Sequence, residues 1–159
     1  MKKIICILLM SLPMSSYANE EKSAGVTALS PELRSLLSQE MLALQSGMMS
    51  LIPAIISGKW EAVATTAGKI KNSYILKQKL TKAQAKELHS LLPADFIKQD
   101  QQFHYLAGML EHAAKAAKPE LISFYYSRMT ESCVSCHSSY ATHKFPAFSK
   151  AEKTPDHDH

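Results

Sequence analysis

The chain has 159 residues, 46% apolar and 20% charged, with five glycines against eight methionines. That is the length and composition of one globular domain, and it excludes collagen-like, low-complexity and disulfide-dense classes. The formal charge of +4 is mild and forms no basic stripe interleaved with aromatics, so nothing points to a nucleic acid partner.

Taken in chain order, residues 1–18 read as a secretory signal peptide rather than as part of the fold. Lys2 and Lys3 form a positive start, residues 4–12 an apolar run too short to span a bilayer, and Ser16-Tyr17-Ala18 a small-residue cleavage site. Cys6 lies inside the apolar run, too early for a lipoprotein cysteine. The competing reading is an anchor that is never cut. Cleavage after Ala18 would start the mature chain at Asn19, in a bacterial periplasm and without a membrane span. It would also leave Cys133 and Cys136 as the remaining cysteines, which rules out a disulfide framework.

From there on the signals are helical. Ser30-Pro31-Glu32 reads as N-cap, first-turn proline and first-turn acid. Leu33, Leu37, Met41, Leu44, Met48, Leu51 and Ile55 recur at spacings of three or four, with Pro53 late in the run and Gly58 as its stop. A second helix is expected over 59–80, with Trp60, Val63, Ala67, Ile70 and Tyr74 on one face. Thr81 is placed to cap a short helix over 82–92, ended by Pro93. Asp95 is the expected cap of the next, whose stripe is Phe96, Phe103, Ala107, Leu110 and Ala114 and which ends near Ala117. Lys118-Pro119-Glu120 restarts the chain. The last helix carries Leu121, Phe124, Tyr125, Met129, Cys133, Cys136 and Tyr140, to about His143. The resulting expectation is an all-α fold: an antiparallel four-helix bundle over 19–145, a short extra helix between helices two and three, and a flexible tail over 146–159.

The chemistry lies in Cys133-Val134-Ser135-Cys136-His137. On a helix the two cysteines and the histidine fall at i, i+3 and i+4 and share one face. Covalent haem needs that arrangement: two thiols for its two vinyl groups, and an adjacent imidazole to reach the iron. C-x-x-C-H is the attachment signature of c-type haem. A zinc site competes, with His143 as a further ligand, but the sequence has no second C-x-x-C. A thioredoxin-like thiol pair belongs in a βαβ setting, and a chance match is the remaining alternative. An exported chain, two otherwise unpaired cysteines and a helical setting favour one haem c, with His137 as proximal iron ligand.

With these residues in place, the chain resembles the cytochrome c′ and cytochrome c556 group over most of residues 33–144. In that group a Tyr stands three residues after the haem histidine, as Tyr140 does here. In low-spin c556 members a first-helix Met ligates the iron, and the resemblance implies that role for Met41, followed here by Met48-Met49 and Gly58. Two departures stand out. Ala141 replaces the usual Arg after that Tyr, and one extra residue lies between Met41 and Gly58, beside Pro53. Family members often dimerise through their first two helices, so a homodimer is also implied.

The sixth iron position decides between two functions. A Met thioether there gives a low-spin, redox-active iron with a raised potential, suited to single-electron transfer with partner proteins. An apolar residue leaves it open to NO or CO, as in cytochrome c′. Met41 is the first candidate and Met48 the second; both also suit core packing, as Met109 and Met129 do. Tyr140 is expected to pack on the haem or on the His137 ring. With Ala141 in place of Arg, that imidazole should owe its orientation to packing or a backbone acceptor. His104 reads as surface or half-buried, with a haem-edge contact as the alternative; His89 and His112 read as surface. Tyr125 and Tyr126 suit aromatic packing. Lys69, Lys71, Lys77, Lys79, Lys82 and Lys86 form a solvated face that could steer an acidic partner. The Asp156-His157-Asp158-His159 tail reads as solvated, with weak metal binding as the alternative. No triad, phosphate loop or carboxylate pair is evident, so the expectation is an electron carrier rather than an enzyme. The third reading is a haem-free metal-binding or structural helical protein.

Overall fold

The structure is a computed structural model that describes residues 25–72 and 80–150. The expected signal peptide, Tyr74, Lys77, Lys79 and the acidic-histidine tail lie outside the described residues. All regular structure among the described residues is helical, with no strand. The α-helices are α1 (Pro31–Ile56), α2 (Trp60–Lys71), α3 (Lys82–Leu91), α4 (Ala94–Lys115) and α5 (Pro119–Tyr140), with 3₁₀ turns at Val26–Ala28 and Pro146–Lys150.

The helix starts follow local chemistry. The Ser30 side chain accepts from the Leu33 N–H at 3.4 Å, and Pro31 supplies a preset first turn. Ser30 also donates its own N–H to Glu87 Oε1 at 2.7 Å, which ties the start of α1 to α3. Thr81 and Gln84 form a reciprocal capping box on α3. The start of α4 differs from expectation. Its cap position is Pro93, without a side-chain cap bond, and Asp95 sits inside the first turn. There the carboxylate acts on the positive end of the helix dipole rather than on a single N–H. Pro53 is accommodated within α1, where its ring removes one donor without ending the helix.

The two turns at the ends of α1 and α4 share one geometry. After α1, Gly58 has φ 63°, its N–H bonds to Ile55 O at 3.1 Å, and the Lys59 N–H bonds to Ala54 O at 2.9 Å. After α4, Ala117 has φ 48°, with Ala117 N–H to Ala114 O at 3.0 Å and Lys118 N–H to Ala113 O at 3.1 Å. Both are Schellman closures, which require a left-handed residue one place beyond the cap. Glycine fills that place in one and alanine in the other.

Two apolar clusters hold the helices. The larger joins Leu44, Met48 and Leu51 of α1 to Val63, Ala67 and Ile70 of α2, then Phe103, Leu106, Ala107 and Leu110 of α4, and Ile122 and Met129 of α5. The smaller gathers Leu29 and Leu33 with Leu92, and with Leu37, Leu88, Phe96 and Ile97 around them. α4 packs on both α2 and α5, whereas α1 meets α2 and touches α5 only slightly.

Two expected details of α5 are corrected. α5 ends at Tyr140, three residues short of His143, because Ala141 leaves helical geometry while still donating to His137 O. Leu121 and Phe124, expected on its buried stripe, are exposed, and Ile122 is fully buried instead. The face has rotated by about one position, since Ile122 and Met129, seven residues apart, define it. Residues Pro146–Lys150, where the expected tail begins, form a 3₁₀ turn closed by Ser149 Oγ donating to Pro146 O at 2.7 Å.

Ala117→Gly tests the second closure. Relief of a left-handed alanine yields about 1–2 kcal/mol, and the added freedom of an unfolded glycine takes back about 0.5–1. The variant should therefore be more stable than the parent by up to about 1.5 kcal/mol, read as a higher urea midpoint at unchanged slope.

Candidate functional site

α5 is anchored by Ile122 and Met129, both fully buried, and this sets which face of its later turns points inward. Cys133 follows Met129 by four residues and is half-buried against the larger apolar cluster. Cys136 and His137 come one turn later, both half-buried. Tyr140 comes next, and its ring meets Phe96 edge-on with centroids 5.3 Å apart. Phe96 belongs to the smaller cluster. The C-x-x-C-H turn thus lies along α5 between its contacts with the two clusters.

Both thiols are free. Burial pushes the Cys133 thiol above its ordinary value. Burial, then the charges of Asp100 and Cys133, push Cys136 up to about 11. Thiols held this way stay protonated at neutral pH, unlike the lowered thiol of a disulfide-exchange nucleophile. Burial lowers the His137 pKa, which keeps the imidazole neutral, the form in which it can act as a metal ligand. His143 is exposed, and no group of three His, Cys, Asp or Glu side chains is gathered as a metal site among the described residues. The residues present fit a covalently held haem. Two free thiols and a neutral imidazole share one half-buried helix face, with apolar clusters on either side of it.

A polar group faces this region from other helices. Glu40, on α1 immediately before Met41, is 1% exposed. Its charge acts on His104 of α4, whose Nδ1 lies 2.6 Å from Ile70 O on α2 and whose Nε2 lies 3.5 Å from Asp100. Burial is the largest single influence on His104 and lowers its pKa. The hydrogen bond and charge of Asp100, the Ile70 carbonyl and the charge of Glu40 together outweigh it, and the pKa ends above 6.5. Sequence reasoning passed over Glu40 and Asp100. Glu40 was detectable, because it lies three residues after Leu37 and four before Leu44, in phase with the apolar stripe.

The other sequence candidates separate clearly. Met41 is half-buried against the larger cluster, while Met48 and Met129 are buried within it. Met109 is half-buried, and His89 and His112 are exposed. Tyr125 and Tyr126 pack on the larger cluster. Lys69, Lys71, Lys82 and Lys86 are exposed. The ring found on His137 is Phe145, stacked at 4.7 Å, rather than the expected Tyr140, which packs on Phe96.

Comparison with protein-family models, with curated proteins and with solved structures gives no match for this chain.

The raised His104 pKa makes a signed prediction. A histidine whose folded pKa lies above its unfolded value adds stability in full below about pH 6.5 and loses it as pH rises through the folded pKa. Asp100→Asn removes the main raising influence. The parent should exceed this variant in urea midpoint at pH 6, and the gap should narrow by pH 8. A gap that widens with pH would contradict the pairing.

Proposed function

We propose that this chain is a periplasmic monohaem c-type cytochrome that carries single electrons between partner proteins, and that it performs no turnover chemistry of its own. The observation that carries the reading is the placement of Cys133, Cys136 and His137 on one half-buried face of α5, between that helix's contacts with two apolar clusters. Cys133 and Cys136 would hold the haem through two thioether bonds, each formed by adding a thiol across a vinyl group. His137 would be the proximal iron ligand and Met41 the sixth, with Tyr140 packing at the haem edge. Bound haem supplies a ferric/ferrous couple that takes up and releases one electron. The chain's own residues hold it, surround it with apolar side chains and set its electrostatics. Asp100 places an acidic group near Cys136, and the half-buried thiol positions limit access of water.

The finer fold that goes with this reading is an antiparallel bundle of α1, α2, α4 and α5, with α3 as the extra short helix, of the kind found in the cytochrome c′ and c556 group. Its N-terminal 18 residues would be removed on export. α1 supports the implied homodimer, because Leu42, Met49, Ile52 and Ile56 are exposed along it at spacings of seven, three and four. The exposed lysines of α2 and α3 suit an acidic redox partner.

Covalent attachment is the first test. Protein expressed with the c-type maturation machinery should keep its haem after denaturation and acid–acetone extraction, and His137→Ala should lose the proximal ligand. Extractable haem, or none, would end the reading. The second test concerns Met41. The ferric parent should show the weak near-infrared band of sulfur ligation, and Met41→Ala should abolish it and admit CO rapidly. A high-spin parent would favour the gas-binding function instead, and loss of the band in Met48→Ala alone would move the ligand by two turns.

A further inference from the structure

The His137 imidazole is flanked by a ring that comes from beyond its own helix. Phe145 lies over it with centroids 4.7 Å apart and planes inclined by 18°, a stacked arrangement rather than an edge contact. Phe145 is held there by backbone closure. The N–H groups of Lys144 and Phe145 both donate to Ala141 O, at 2.9 and 3.0 Å, and the Phe148 N–H donates to Phe145 O at 3.0 Å. The Phe148 ring then meets Phe145 edge-on at 6.3 Å. Pro146 follows at once and presets the first 3₁₀ turn.

Core packing does not account for this placement. Phe145 belongs to neither apolar cluster and remains 41% exposed. Its ring contacts are His137 on one side and Phe148 on the other. The main-chain carbonyl of Ala141 accepts both N–H groups of the closure.

We propose that Phe145 is the positioning residue of the His137 imidazole: the stacked ring fixes the plane of that imidazole and covers one of its faces against water. The consequence for iron rests on the cytochrome reading above; the stack itself does not. A flat ring against a flat ring resists rotation about the histidine's outer torsion, which is otherwise broad. In a histidine-ligated ferric haem, the imidazole plane decides which iron orbital shares its unpaired spin with the porphyrin. Turning the plane redistributes that spin among the haem methyl groups. Ligand orientation set from outside the first coordination shell is a general lever on metal sites.

The experiment is proton NMR of the full-length ferric protein as the parent, Phe145→Leu and Phe145→Tyr. Phe145→Leu keeps apolar bulk but removes the flat face, and should change the order and spread of the hyperfine-shifted haem methyl resonances. Phe145→Tyr keeps the face and should retain the parental pattern. A parental methyl pattern in Phe145→Leu would overturn the proposal, as would an equal change in both variants. If the purified protein carries no covalent haem, the cytochrome reading fails and the readout becomes the His137 ring protons. Their upfield ring-current shift should disappear in Phe145→Leu and persist in Phe145→Tyr. Unchanged His137 shifts in Phe145→Leu would overturn the stack independently of haem.

Discussion

A helix can hide only about a third of its circumference, and on α5 that third must serve packing and chemistry at once. Ile122 and Met129 take the inward direction early in the helix, where burial of each is worth roughly 1.5–3 kcal/mol. Every later residue inherits that orientation. Cys133 therefore rests against the larger cluster, and Tyr140 reaches Phe96 in the smaller one. Cys136 and His137 fall between these contacts, neither sealed in the core nor free in solvent. Their raised thiol and lowered imidazole pKa values follow from that half-burial more than from any specific partner.

A polar group on the neighbouring helices is linked to this face through Asp100. A fully buried carboxylate such as Glu40 is costly unless other groups compensate, and low local polarity strengthens whatever compensates it. His104 sits where three helices contribute to its environment: Glu40 from α1, the Ile70 carbonyl from α2 and Asp100 from α4 itself. Asp100 also acts on Cys136, so this polar group and the cysteine face share one electrostatic neighbourhood.

The turns supply the register that makes this possible. The Schellman closure at Ala117 lets α5 begin three residues after the α4 cap, so that these consecutive helices pack closely. Beyond α5, a second tight closure on Ala141 O brings Phe145 back over His137, one turn before the helix end. Ala117 occupies a left-handed position where glycine is the usual residue.

The sequence by itself determined the helical class, most helix starts and the C-x-x-C-H constellation, because these depend on neighbours within about four residues. Ser30, Pro31, Thr81 and Pro119 act on adjacent backbone groups, and Gly58 needs nothing distant to end α1. The spacing of Cys133, Cys136 and His137 places them on one face of any helix that contains them. Tertiary structure alone decided what lies opposite. The rotation that buries Ile122 and leaves Phe124 in solvent depends on the angle at which α5 meets α4. The burial of Glu40, its influence on His104, and the separate packing of two apolar clusters arise from residues far apart in the chain, as Leu44 and Met129 are in the larger cluster. Phe145 is the clearest case: it reads as one apolar residue in a polar, proline-containing end, and only the return of the chain over α5 sets its ring on the imidazole of His137.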